Sequence, residues 1–95
     1  MGQQGIVNVT AVVDFGAGRQ VCDPWVESRG WLEEDHAKPI EDEIVRLVAE
    51  AIDAELKNPD WDRESLLRKV RRAAGTTVNQ RSRRRPIIMP VVIDT

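Results

Sequence analysis

Pro86-Ile-Ile-Met-Pro-Val-Val-Ile-Asp-Thr95 is the stretch that decides the fold. Ile87 to Ile93 has the β-branched composition of a strand. It follows two segments of helical periodicity, so it must rejoin a sheet begun before them. Pro90 lacks the amide that a ladder needs, which places this strand at an edge or at a local bulge. A strand that returns through two helices is expected to run parallel to the first strand of the chain.

Upstream of this tail lie the two helices. Ile40, Ile44, Leu47, Val48, Ala51, Ile52 and Leu56 form an apolar stripe of period near 3.6. Pro39 is expected in the first turn of that helix, and Glu41, Asp42 and Glu43 favour its positive end. Asn58-Pro59 ends it, because the residue before proline avoids the α region. Asp60 is the expected N-cap of the second helix. Leu66, Leu67, Val70, Ala73, Ala74, Thr77 and Val78 face inward there, with Arg68, Lys69, Arg71 and Arg72 toward solvent. Gly75 weakens this helix by about 1 kcal/mol relative to alanine and marks a candidate kink.

The sheet begins at Ile6 to Asp14, where Val7, Val9, Ala11 and Val13 share one face and Ile6 and Val12 the other. Gly16-Ala17-Gly18 supplies a turn, and Arg19 to about Val26 is the expected partner strand, with Pro24 near its end. The expectation is therefore an α+β fold: a three-stranded mixed sheet in the order β-β-α-α-β, with both helices on one face. Residues 1–5 are expected to be linker and 6–95 one domain.

Ninety-five residues, 41% hydrophobic and 32% charged, suit one folded soluble domain with a modest core. No apolar run approaches the roughly 20 residues of a membrane span, and Met1 to Gly5 lack the pattern of a signal peptide. Cys22 is the single cysteine, so no internal disulfide is available and a cytoplasmic location is expected. The formal net charge of −2 conceals an asymmetry. Between Arg63 and Arg85 nine basic residues stand against Glu64 alone, a locally basic segment in an acidic chain.

A hydrolytic centre needs a base, a nucleophile or a metal held by convergent ligands. His36 is the only histidine and sits among Glu33, Glu34 and Asp35, expected to be a solvated acidic loop with no compact metal motif. Cys22 has no partner residue and is expected to be a buried structural thiol. Gly16 to Gly18 joins two strands, not a strand and a helix, and so is no phosphate loop. No catalytic residue, metal ligand or cofactor site is expected in this chain.

The basic segment is the stronger candidate. Arg68, Arg71, Arg72, Arg81, Arg83, Arg84 and Arg85 are candidate contacts to RNA phosphates, with salt-sensitive binding; the alternative is a solvated helix face that offsets the dipole. Phe15, Trp25, Trp31 and Trp61 are not interleaved with the arginines, so a dedicated single-strand stacking platform is not expected. Trp25, Trp31, Ile6 and Val12 are candidates for a docking surface, with plain core packing as the alternative.

The tail from Val70 to Asp94, with its Arg83-Arg84-Arg85-Pro86 step and proline-broken strand, resembles the end of bacterial ribonuclease J. Ser28-Arg29-Gly30-Trp31 is similar to that family's Ser-Arg-Gly-Phe step, and Asp60-Trp61 fits the opening of its second helix. Trp31 for Phe and Asp94 for the more frequent Glu are departures from the pattern. The resemblance covers nearly all of the chain after Gly5. It implies a parent of the metallo-β-lactamase and β-CASP type that processes and degrades RNA as an exonuclease and endonuclease, using zinc held in a catalytic part outside this sequence. It implies for this chain a C-terminal accessory domain that supports oligomerisation, as a dimer, and activity. The implied partners are the parent catalytic domain, a second copy and RNA, and no membrane.

Overall fold

The computed structural model describes residues 5–82 and 84–95. Its elements are β1 (Ile6–Asp14), β2 (Arg19–Gln20), β3 (Trp25–Arg29), α1 (Glu34–Leu56), α2 (Arg63–Arg81) and β4 (Ile87–Asp94). The fold is α+β, with one mixed sheet. β1 is central: β2 and β3 pair antiparallel along one side of it, and β4 pairs parallel along the other. The expected linker at residues 1–4 lies outside the described residues, and the Gly5 carbonyl accepts from the Ile87 amide at 2.9 Å.

The partner of β1 is two strands rather than one. Val13 opposes Gln20 and Thr10 opposes Trp25, so three steps along β1 correspond to five along the returning chain. The two extra residues form a break at Val21 to Pro24. Proline has no amide to give a ladder, and the break takes buried Pro24 out of the pairing. Because the insertion is even, the alternation of faces survives it. Gln20, Val26 and Ser28 turn toward the helices, while Arg19, Trp25, Glu27 and Arg29 turn away. Cys22 falls in this break and is exposed, not the buried thiol that was expected.

The core lies between one face of the sheet and the two helices. Val7, Val9, Ala11 and Val13 of β1 meet Ile44, Val48 and Ile52 of α1 and Leu66, Val70 and Ala74 of α2. The buried α1 positions recur every four residues, which keeps them on one line of the helix. α1 begins five residues before Pro39, so the presumed acidic loop at Glu34 to His36 is helical. Pro39 forfeits one intrahelical bond. Burial of Ala37 and Ile40 holds the extra turn in place, and the Ala37 amide reaches the Glu33 carbonyl at 2.9 Å.

Asp62, not Asp60, caps α2. Its carboxylate accepts from the Ser65 amide at 2.8 Å, while the Asp62 amide donates to Ser65 Oγ at 2.9 Å. This reciprocal pair satisfies amides that Asp60, two residues further out, cannot reach. α2 then runs through Gly75 without ending. Thr77, fully buried, donates its hydroxyl to the Ala73 carbonyl at 2.9 Å.

Trp31 belongs to the core and not to a docking surface: it is 2% exposed. Two glycines cause this. Gly30 takes φ +75° and turns the chain under the sheet. Gly5, at φ +103°, leaves no room for a β-carbon, which would lie 2.6 Å from the Arg29 carbonyl oxygen and 2.7 Å from Trp31 Cβ. The indole therefore joins the core cluster where the chain leaves β3 beside the start of β1. Trp31→Ala should cost about 3–5 kcal/mol in urea denaturation, whereas Trp25→Ala, at a 65% exposed site, should change stability by no more than about 0.5 kcal/mol. Equal losses would show that the two indoles have been given the wrong roles.

Candidate functional site

The helices cover one face of the sheet and leave the other open. The register places its outward side chains in rows across three strands: Arg29, Ile6 and Ile87; Glu27, Asn8 and Met89; Trp25, Thr10 and Val91. Val12 and Ile93 continue the last two columns. The Val21 amide donates to the Val12 carbonyl at 3.0 Å, which brings Val21 beside Val12. Ile87, Met89, Val91 and Ile93 are all exposed large hydrophobic residues, as are Val21 and Trp25. The apolar column of β4 is flanked on β1 by Asn8 and Thr10 as well as Ile6 and Val12, and an exposed apolar strip of this kind marks an interaction site more often than scattered exposed residues do. Of the expected docking residues, Trp25, Ile6 and Val12 lie on this face, with Ile6 and Val12 half-buried. Trp31 lies on the opposite side, in the core.

The free edge of β4 lacks one donor that strand addition would use. The amides of Ile87 and Thr95 donate to the carbonyls of Gly5 and Val13, at 2.9 and 3.1 Å. Alternation along a strand therefore turns the odd-numbered amides of β4 toward β1 and the even-numbered positions outward. Pro90 stands at an outward position, opposite Val9. It costs the ladder nothing and removes a donor from the exposed edge, a device that blunts edge-to-edge pairing. The apolar face, rather than the edge, is what β4 offers to a partner.

The arginines divide into separate groups. Arg68, Arg71 and Arg72 are exposed on the solvent side of α2 with Lys69. They line an open cleft of about 460 Å³ whose other walls are Glu55 and Asn58 at the end of α1. Among the described residues none of these four cations has an ion pair or hydrogen-bonding partner. Arg81 is occupied elsewhere: its guanidinium meets the Glu43 carboxylate at 3.3 Å and ties the end of α2 to α1. Arg84 lines a different depression together with Arg81, Asp35, His36, Pro39 and Ile40. Arg85 is already engaged in an interaction and borders a notch of about 350 Å³ with Gly75, Asn79, Pro86 and Ile88. Arg83 lies outside the described residues. Among the described residues the candidate arginines thus form more than one group: Arg68, Arg71 and Arg72 on one cleft, Arg81 and Arg84 on another, and Arg85 at a notch.

Sequence reading missed one group. Phe15 at the hairpin tip meets Trp61 edge-on, with ring centroids 5.1 Å apart. The Arg63 guanidinium lies 5.2 Å over the Phe15 ring and donates to the Val92 carbonyl. These contacts bind the β1–β2 turn, the start of α2 and the end of β4 together. Residues forty-odd apart carry no local periodicity, so only the placement of Trp61 just before a helix cap hinted at it.

His36 is exposed in the first turns of α1. Among the described residues no group of three or more His, Cys, Asp or Glu side chains is placed to hold a metal ion. Beside β3, Ser28 Oγ donates to Glu41 Oε2. Asp42, by hydrogen bond and charge, holds the exposed Lys38 ammonium above its usual pKa. Among the described residues no helix is long and apolar enough to cross a membrane.

The family model for the ribonuclease J C-terminal domain matches residues 1–95. Ribonuclease J of Corynebacterium glutamicum is 30% identical over 93 residues, which cover 98% of this chain and 13% of that protein. Ribonuclease J of Mycobacterium tuberculosis is 33% identical over 95 residues, covering 95% of this chain and 16% of that protein. The protein of that name from Mycolicibacterium smegmatis is 34% identical over the same length, with the same coverage. The chain thus spans less than a fifth of the length of each. Replacing Pro90 by valine should leave urea stability within about 0.5 kcal/mol, since no β1 bond is touched, yet increase turbidity on incubation as an edge amide becomes available. Unchanged turbidity would mean that the edge is protected by something other than Pro90.

Proposed function

The chain belongs to the ribonuclease J C-terminal domain family, and from that membership we propose that it is a non-catalytic accessory domain of a larger RNA-processing and RNA-decay nuclease. Its work is assembly: the open apolar face of the sheet associates with a second copy or with the catalytic part of the parent, in the cytoplasm. The observation that carries this reading is the column Ile87, Met89, Val91 and Ile93, all exposed on a face that no helix covers, with Trp25 exposed across β1 on the same face. Interface cores favour aromatic and aliphatic anchors in just such uncovered patches. Catalysis, and any zinc it uses, is assigned to the parent's other domains.

Self-association through this face predicts a sedimentation coefficient that rises with concentration. Val91→Lys, at the centre of the patch, should abolish the rise while leaving the circular dichroism spectrum unchanged. A strictly monomeric chain at high concentration would remove autonomous dimerisation and leave the catalytic part as the only partner to test.

A second reading is RNA binding. It is favoured by one observation, the four cations Arg68, Lys69, Arg71 and Arg72, exposed together on α2 without partners among the described residues. If they neutralise four phosphates of a single strand, log affinity should fall with log salt at a slope of about −2.8. No detectable binding of a single-stranded RNA at low salt would exclude it.

A further inference from the structure

Gly75 is the residue in α2 whose presence the fold itself does not explain. It lies inside a continuous helix, where glycine is about 1 kcal/mol worse than alanine. No positive φ requires it. Packing does not require it either: a β-carbon at Gly75 would have no atom of another described residue within 4 Å. The position opens instead into the notch formed with Asn79, Arg85 and Pro86, where α2 passes the start of β4.

That notch continues the basic face. Arg68, Arg72, Gly75 and Asn79 succeed one another at spacings of four, three and four, and Arg71 lies four before Gly75, so all five fall within about 100° of one side of the helix. From Arg68 to Asn79 this side runs about 16 Å at the usual rise of 1.5 Å per residue. Partnerless cations occupy its first half, and bare helix backbone, walled by the Asn79 amide and the Arg85 guanidinium, its second. A glycine without a structural reason, next to unneutralised charge, fits a surface that an anionic chain approaches closely.

We infer that Gly75 is the contact point at which the sugar-phosphate backbone of single-stranded RNA lies directly against α2, its neighbouring phosphates held by Arg68, Arg71 and Arg72. This rests on the RNA-binding reading and deepens it. The contact is to backbone and not to bases, because among the described residues no aromatic ring lines the clefts along this side: Trp25 stands on the open sheet face, Trp31 is buried in the core, and Trp61 packs against Phe15. Recognition is therefore independent of base identity, and oligouridylate and oligoadenylate of equal length bind alike.

The test is fluorescence anisotropy with a short labelled oligouridylate at low salt, read beside thermal unfolding. Gly75→Ala raises Tm by about 4–8 °C, the gain of removing a helix-interior glycine from a domain of this size. Gly75→Gln, which fills the notch and holds the strand off the helix, weakens binding roughly tenfold, the loss of one neighbouring arginine–phosphate contact. Thr76→Gln, exposed on the side of α2 that faces α1, leaves affinity unchanged. If Gly75→Gln folds and binds as well as the parent chain while Arg68→Gln/Arg72→Gln loses affinity, the inference is overturned and the RNA-binding reading stands. If neither variant changes affinity, or no variant and no parent chain binds, both are wrong. Displacement of the RNA by polyglutamate of equal charge would show an indifferent polyanion site and overturn the inference. Should Gly75→Gln fail to fold, Gly75→Ala decides: a raised Tm with affinity undiminished overturns it.

Discussion

β1 carries hydrogen bonds on both of its edges and buries one whole face, and every other element stands where it does because of that strand. Its even-numbered backbone groups serve β2 and β3, and its odd-numbered ones serve β4. Its inward valines and Ala11 have no exposure left. An antiparallel neighbour can be reached through the four-residue turn at Phe15 to Gly18. A parallel neighbour cannot, because the chain must first travel back along the whole strand. α1 and α2 make that return journey, and in doing so they cover the face of β1 that needs burying. One crossover thus solves a connectivity problem and a solvation problem together.

The same geometry leaves the second face of the sheet uncovered and puts β4 on the rim. β4 is then both a structural strand and a column of four exposed large hydrophobic side chains. Pro90 separates these roles: it withholds an amide from the free edge while the side chains on either side of it, Met89 and Val91, remain available on the face. A surface so arranged favours contact by side chains over extension of the sheet. Such contact is limited in area and compatible with a closed assembly, whereas strand addition propagates.

How far the sequence could be read depended on the range of the forces involved. The α1 stripe, the face alternation of β1 and the strand at Ile87 are local periodicities, and each was legible to within a few residues. The cap at Asp62 and the extra turn before Pro39 were displaced from expectation by short-range competition. Ser65 offers Asp62 a reciprocal bond that Asp60 has no partner for, and burial of Ala37 outweighs the missing proline amide. The break at Val21 to Pro24 was hidden because Pro24 signalled only that a donor was lost, not how the chain would step around it. Trp31, Trp25 and Trp61 were indistinguishable by composition. One fills the core, one stands in solvent and one meets Phe15, and the difference lies in the glycines and strands around them.

The sequence by itself determined the order of elements, the parallel return of the last strand, the family and the presence of a basic second helix. These depend on residue type and spacing along the chain. Only the tertiary structure decided which tryptophan is a surface residue, which arginines share a face, and that the Pro90 nitrogen points to the free edge of the sheet. Those outcomes depend on which side of an element each residue occupies once its neighbours are in place, and on contacts such as Arg81 with Glu43 between residues far apart in the chain. Proximity of that kind is created by packing, and no local pattern encodes it.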